Sequence, residues 1–95
     1  MQAKMNNLEN WINNCDERYL EETFENLLEQ SHFKILGKVK HQFEPFGFTC
    51  LWLLGESHFA IHTFPEENKT YIQLSSCVDM QFNEFKKNMQ KVIAL

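Results

Sequence analysis

The chain has 95 residues, 43% of them hydrophobic and 14% aromatic, with nine Phe, 13 acidic and 9 basic residues, and a formal charge of −4. One small globular domain over 1–95 with a modest core is expected, and disorder is excluded. Acidity without a Lys/Arg cluster argues against nucleic-acid backbones, and the longest apolar stretch, Cys50 to Leu54, is too short to span a bilayer, so neither nucleic acid nor membrane is expected as a partner.

The first residues, "MQAKMNNLENW", lack the apolar run of a signal peptide. Cys15, Cys50 and Cys77 are an odd set without framework spacing, which points to free thiols and a cytoplasmic location. Leu8, Trp11, Ile12, Cys15, Tyr19, Leu20, Phe24, Leu27 and Leu28 recur at helical spacing. Asp16 is the expected cap of a helix over 17–30, with Glu17 favourable in its first turn. The Asn-rich segment "NNLENWINNC" reads more as helix than as strand, although whether residues 6–14 continue the helix is open.

From Phe33 to Phe43 the chain alternates, with Ile35, Val39, His41 and Phe43 on one face and Lys34, Lys38, Lys40 and Gln42 on the other. This is a half-buried strand with its lysines on a solvated face. "EPFG" reads as a turn, and Phe48 to Leu54, apolar on both sides, as a central strand. Gly55-Glu56 marks a break before a strand over 57–64. "PEENK" is a second turn, followed by a strand from about Thr70 to Ser75. Asp79 is the expected cap of a last helix with the stripe Phe82, Phe85, Met89, Val92 and Ile93. Short connections favour antiparallel pairing. The expected fold is α+β, an antiparallel sheet of about four strands with two helices packed on one face.

On the strand over 57–64, His58, Ala60, His62 and Phe64 share one side, and Phe59, Ile61 and Thr63 the ordinary core side. In the following strand Tyr71, Gln73, Ser75 and Cys77 share parity, so a hairpin brings Cys77 near the strand holding His62. His58 and His62 are about 13 Å apart by strand rise, too far to share a metal, and His41, His58, His62 and Cys77 have no structural-zinc spacing; no metal is expected.

Glu56-Ser57-His58, Ile61-His62-Thr63, Phe64-Pro65-Glu66 and Cys77, twenty residues after Ser57, together form a pattern that resembles the bacterial and archaeal S-adenosylmethionine decarboxylases, pyruvoyl enzymes made as proenzymes. The wider resemblance runs from Cys15-Asp16 through the last helix and includes "PFGFT". It implies self-cleavage between Glu56 and Ser57. The Ser57 hydroxyl attacks the Glu56 carbonyl, the ester is eliminated, and hydrolysis leaves a pyruvoyl group at position 57. That group is the cofactor and forms a Schiff base with the substrate amine.

Residue by residue, the resemblance assigns His62 as the acid–base group of processing, Thr49 as its hydroxyl-bearing assistant and Cys77 as the proton donor to the decarboxylated carbon. It assigns Phe43 and Phe64 to the two sides of the adenine and Glu66 to the ribose hydroxyls. It further implies S-adenosylmethionine as substrate, a role in spermidine synthesis, and a homodimer with sites near the subunit contact.

The chain departs from the family pattern in several places. Gln73-Leu74-Ser75-Ser76-Cys77 stands where relatives often read Asp-Leu-Phe-Thr-Cys, and Phe64 stands where many have Trp. The family usually begins with an apolar strand and adds a strand and tail after the last helix, so exposed sheet edges are expected here. Two alternatives follow. One is the same machinery acting on arginine or ornithine; the other is an unprocessed homologue with a regulatory or structural role.

Overall fold

The carboxylate of Asp16 accepts the Tyr19 amide at 3.0 Å, satisfying one of the free N–H groups at the start of α1 (Glu17–Gln30). This is one anchor of a computed structural model that describes residues 4–93. At the other end of α1 the backbone passes through Ser31, whose hydroxyl donates to the Leu27 carbonyl at 2.7 Å, and turns towards the sheet. Leu20, Phe24, Leu27 and Leu28, on one stripe of α1, are buried.

The sheet has five strands rather than four: β1 (Asn6–Ile12), β2 (Ile35–Gln42), β3 (Phe48–Leu54), β4 (Ser57–Phe64) and β5 (Lys69–Ser76). The order is β1-β5-β4-β3-β2, and every neighbouring pair is antiparallel. The second helix, α2 (Asp79–Ile93), follows β5 directly. Phe82, Phe85 and Met89 of α2 are buried and Val92 is partly buried; the side chain of Ile93 lies outside the described residues. Both helices close the same side of the sheet over Cys50, Trp52, Leu54, Phe59, Ile61, Ile72 and Leu74. Each fully buried large side chain there contributes roughly 1.5–3 kcal/mol.

Three local readings are corrected. The segment expected to be more helical is β1, paired over its full length with β5 from Asn6↔Ser76 to Ile12↔Thr70. Leu8 and Ile12 pack against the helix-side core, and Trp11 points to the other side. Spacing of i and i+4 satisfies either period, and the waiting edge of β5 decides for the strand. Asp79 is the first residue of α2 rather than the residue before it, and its carboxylate accepts from the Asn6 side chain at 2.7 Å.

The third correction concerns β2. Its pairing with β3 shifts between Ile35 and Gly37, so Leu36 bulges out of the ladder. Beyond the bulge the faces are exchanged. Lys38 and Lys40 stand on the helix side, opposite Trp52 and Cys50, while Val39 is 65% exposed on the open side. Lys38 bonds to Glu21 at 2.7 Å and Glu25 at 2.8 Å, Lys40 to Glu21 at 3.3 Å, and the Trp52 indole donates to Glu25 at 2.9 Å. The lysines therefore meet an acidic stripe of α1 instead of bare solvent. Among the described residues, no helix is long and apolar enough to cross a membrane.

Candidate active site

Only Gly55 and Glu56 connect β3 to β4, because Leu54 already pairs with Ser57. Glu56 has φ 57°. A non-glycine residue in the left-handed region is disfavoured by roughly 1–2 kcal/mol, so strain sits on the residue whose carbonyl precedes Ser57. Ser57 has the helix-side parity of Phe59 and Ile61 and is buried. Its hydroxyl donates to the hydroxyl of Ser76, directly opposite on β5, at 2.8 Å. Cys77 follows Ser76 and lies across the same junction, its Sγ 3.3 Å from the Glu56 carbonyl oxygen and 3.5 Å from the Glu56 carboxylate. Desolvation, the hydrogen bond to Glu56 and that carboxylate's charge all push the Cys77 thiol up, keeping it protonated at neutral pH.

The second group of residues lies towards the other end of β4. Thr49 and His62 are directly paired across β3 and β4, with Thr49 Oγ1 2.8 Å from His62 Nδ1. Burial lowers the His62 pKa, which favours the neutral ring. The two side chains open onto a pocket of about 290 Å³ that is also lined by Phe43, Phe46, Phe64 and Glu66. The hairpin loop before β3 shapes its mouth: Gly47 adopts φ 113°, a conformation L side chains rarely reach, and the Phe43 amide donates to the Gly47 carbonyl at 2.8 Å. The short helical turn Pro65–Glu67 carries Glu66 to the rim.

The eight residues singled out in the sequence thus fall into two groups. Glu56, Ser57 and Cys77 meet at one end of β4, and Phe43, Thr49, His62, Phe64 and Glu66 meet at the other. Ser57 and His62 are five positions apart on one strand, about 16 Å by strand rise. Cys77 meets Glu56, the residue before the strand that holds His62, at the end of that strand far from His62; Tyr71 is the residue opposite His62, with the two rings stacked at 6.3 Å.

Sequence reasoning missed three contributors. Ser76 holds the Ser57 hydroxyl, Phe46 lines the pocket, and Trp11 packs its indole 5.7 Å from the Phe64 ring and 5.1 Å from Tyr71. Ser76 was readable only by counting the pairing back from the Pro65–Asn68 turn. Trp11 was hidden with β1. Among the described residues, no group of three or more His, Cys, Asp or Glu side chains is placed to hold a metal ion.

The family model described as S-adenosylmethionine decarboxylase matches residues 9–94. An S-adenosylmethionine decarboxylase proenzyme of Prochlorococcus marinus (strain MIT 9313) is 36% identical over 69 residues, covering 73% of this chain and 55% of the relative. The S-adenosylmethionine decarboxylase proenzyme 2 of Bacillus cereus is 39% identical over 62 residues, covering 65% of this chain and 50% of its own length. The chain thus spans about half the length of these curated relatives. The crystal structure of the adenosylmethionine decarboxylase from Aquifex aeolicus superimposes with a TM-score of 0.72 at 20% identity, over 95% of this chain and 79% of that one, which establishes a shared fold. Since the family match runs over residues 9–94 and so takes in both groups of site residues, the chain belongs to the S-adenosylmethionine decarboxylase family.

Proposed function

We propose that this single domain, residues 1–95, is a self-processing, pyruvoyl-dependent decarboxylase of S-adenosylmethionine, supplying the decarboxylated product for spermidine synthesis. The observation that carries the reading is the Glu56–Ser57 junction: a strained residue, a buried hydroxyl beside its carbonyl, and a protonated thiol donating to that carbonyl oxygen.

The residues suit the chemistry of making the cofactor. Ser57 Oγ adds to the Glu56 carbonyl carbon while the Cys77 thiol supports the developing negative charge on oxygen. The peptide C–N bond breaks, the hydroxyl proton passes to the Ser57 nitrogen, and an ester remains. A base then removes the Ser57 α-proton, the Cβ–Oγ bond breaks as the new main-chain carboxylate of Glu56 leaves, and the resulting dehydroalanine takes up water and releases ammonia. A pyruvoyl group at position 57 supplies an electron sink when carbon dioxide departs. Cys77, at the same junction, holds the proton for the substrate carbon. In the pocket, Phe43 and Phe64 offer π-faces to a planar adenine and to the sulfonium charge, and Glu66 offers acceptors to ribose hydroxyls.

The separation of the two groups supports a homodimer. The open side of the sheet exposes Val39, Leu51 and Leu53, 65%, 44% and 59% accessible, an apolar surface suited to a second copy. Ala60, close to midway between Ser57 and His62, puts a small side chain on that same side. A two-fold axis near Ala60 sets His62, Thr49 and the pocket of one copy against the junction of the other. A cytoplasmic location belongs to the same reading, since Cys15, Cys50 and Cys77 are all free thiols.

Intact mass spectrometry after incubation tests the assignment, together with carbon dioxide release from S-adenosylmethionine, arginine and ornithine. The expected result is two fragments, 1–56 and a pyruvoyl-blocked 57–95, with release from S-adenosylmethionine. Ser57→Ala is expected to abolish both. A wild-type chain that stays whole and releases nothing overturns the reading, and release from arginine or ornithine alone overturns the substrate.

A further inference from the structure

We propose that Ser76 is a positioning residue for chain splitting: it fixes the Ser57 hydroxyl so that its oxygen is aimed at the Glu56 carbonyl. The inference rests on the self-processing reading above and adds a group to it. A serine hydroxyl ordinarily samples several χ1 wells, and only some of them present Oγ to the preceding carbonyl. Here Ser57 and Ser76 are directly opposed across β4 and β5, both are buried, and the Ser57 hydroxyl donates to Ser76 Oγ at 2.8 Å. Ser76 is itself held, because its oxygen accepts the Val78 amide at 3.1 Å where the chain leaves β5 for α2. That amide commits one of Ser76's acceptor sites and sets the direction of the other.

An alcohol is too weak a base to ionise Ser57, so Ser76 contributes orientation rather than proton abstraction. Consecutive residues therefore grip the two halves of one reaction. Ser76 holds the attacking oxygen, and Cys77 holds the carbonyl oxygen being attacked. When Oγ bonds to the Glu56 carbon and the C–N bond breaks, the proton shared with Ser76 is the one that ends on the freed amine.

The test follows splitting of freshly synthesised full-length chain by intact mass, for wild type, Ser76→Ala and Ser76→Thr. Ser76→Ala is expected to split about tenfold more slowly, the equivalent of one orienting hydrogen bond. Ser76→Thr keeps the hydroxyl on a residue suited to a strand and is expected to split near the wild-type rate. Hydroxylamine, which cleaves esters in preference to amides, separates a block before the ester from one after it, while rescue by Ser76→Thr separates positioning from a general loss of structure. Because the block precedes the ester, it is expected not to release 1–56 from Ser76→Ala. Ser76→Ala splitting at the wild-type rate, or accumulating a hydroxylamine-labile ester, overturns the assignment while splitting of wild type stands. A wild-type chain that never splits overturns both readings.

Discussion

The Cys77 thiol lies 3.3 Å from the Glu56 carbonyl oxygen, and in the proposed self-processing that carbonyl is the one Ser57 attacks. One side chain is thereby available for two successive tasks, donating to an oxygen during splitting and to a carbon during turnover. The tasks separate by their sensitivity. Removing one donor from a preorganised carbonyl site slows splitting, with the Ser57 hydroxyl still in place. Removing the only thiol at the junction takes away the acid itself. Cys77→Ala is therefore expected to split about tenfold more slowly, the worth of one weak thiol hydrogen bond, and to lose roughly 10²–10⁴-fold in turnover. Intact mass against time and carbon dioxide release per split chain measure the two effects separately. Equal losses in both would contradict the division of labour.

His62 makes stability depend on pH. Burial lowers its pKa in the folded chain, while the unfolded imidazole titrates near 6.5. Between the two values the unfolded state binds more protons, so stability rises with pH across that window and falls as the solution is acidified from about 6.5. The Glu21 and Glu25 carboxyls, lowered mainly by their hydrogen bonds to Lys38, add a further loss that begins nearer the ordinary carboxylate range. Urea midpoints at pH 7 and pH 5.5 are expected to differ for the wild type. The difference should shrink in His62→Gln, which cannot titrate but can still bond to Thr49. An unchanged difference in that variant would assign the acid sensitivity elsewhere.

The motif from Glu56 to Glu66 was legible because its residues are contiguous, and the parity of β4 then sorted His62 and Phe64 from Ile61 and Thr63 without any tertiary information. Both helices were legible from their apolar period. β1 was not, because Leu8 and Ile12 are spaced in a way both periods allow, and the Asn-rich segment around them owes its strand geometry to β5. The side on which Lys38 sits was also hidden. One bulged residue, Leu36, reverses every later side chain of β2, and local composition does not announce it. Site residues on different strands were legible only as types. That Thr49 would meet His62, while Cys77 would meet Glu56, depends on register, and register is set by hairpin loops whose lengths become meaningful once the pairing is known.

The exchanged face of β2 has an energetic consequence. Lys38 sits between Glu21 and Glu25, with side-chain exposures of 29%, 19% and 35%, so it neutralises two carboxylates that lie near one another. Lys38→Met keeps most of the aliphatic stem over Trp52 and removes the charge. The expected loss is about 1 kcal/mol, above that of a typical exposed pair because Glu25 loses its cation and Glu21 keeps only Lys40, at 3.3 Å. Chemical denaturation in low and high salt checks this. The gap between wild type and Lys38→Met should narrow as salt screens the remaining repulsion, and a gap that salt leaves unchanged would point to lost packing instead.

Phe64 and Trp11 provide the sharpest test of the pocket. Phe64 shares the pocket with Phe43 and Glu66, while its ring also meets the Trp11 indole at 5.7 Å with the planes tilted by 48°. If Phe64 stacks on the substrate base equally before and during reaction, removing it raises KM and leaves kcat nearly unchanged. Stacking of a base on an aromatic side chain is worth roughly 1–3 kcal/mol, so Phe64→Ala is expected to raise KM for S-adenosylmethionine by about tenfold or more. Phe64→Trp enlarges the stacking surface, but its added ring meets Trp11. Trp11 is 54% exposed on an edge strand and has room to move at the cost of its contacts with Phe64 and Tyr71. Phe64→Trp is therefore expected to lower KM more in a Trp11→Ala background than alone. A double-mutant cycle on KM measures that coupling. A cycle that closes with no coupling would show that the indole does not support the ring lining the pocket.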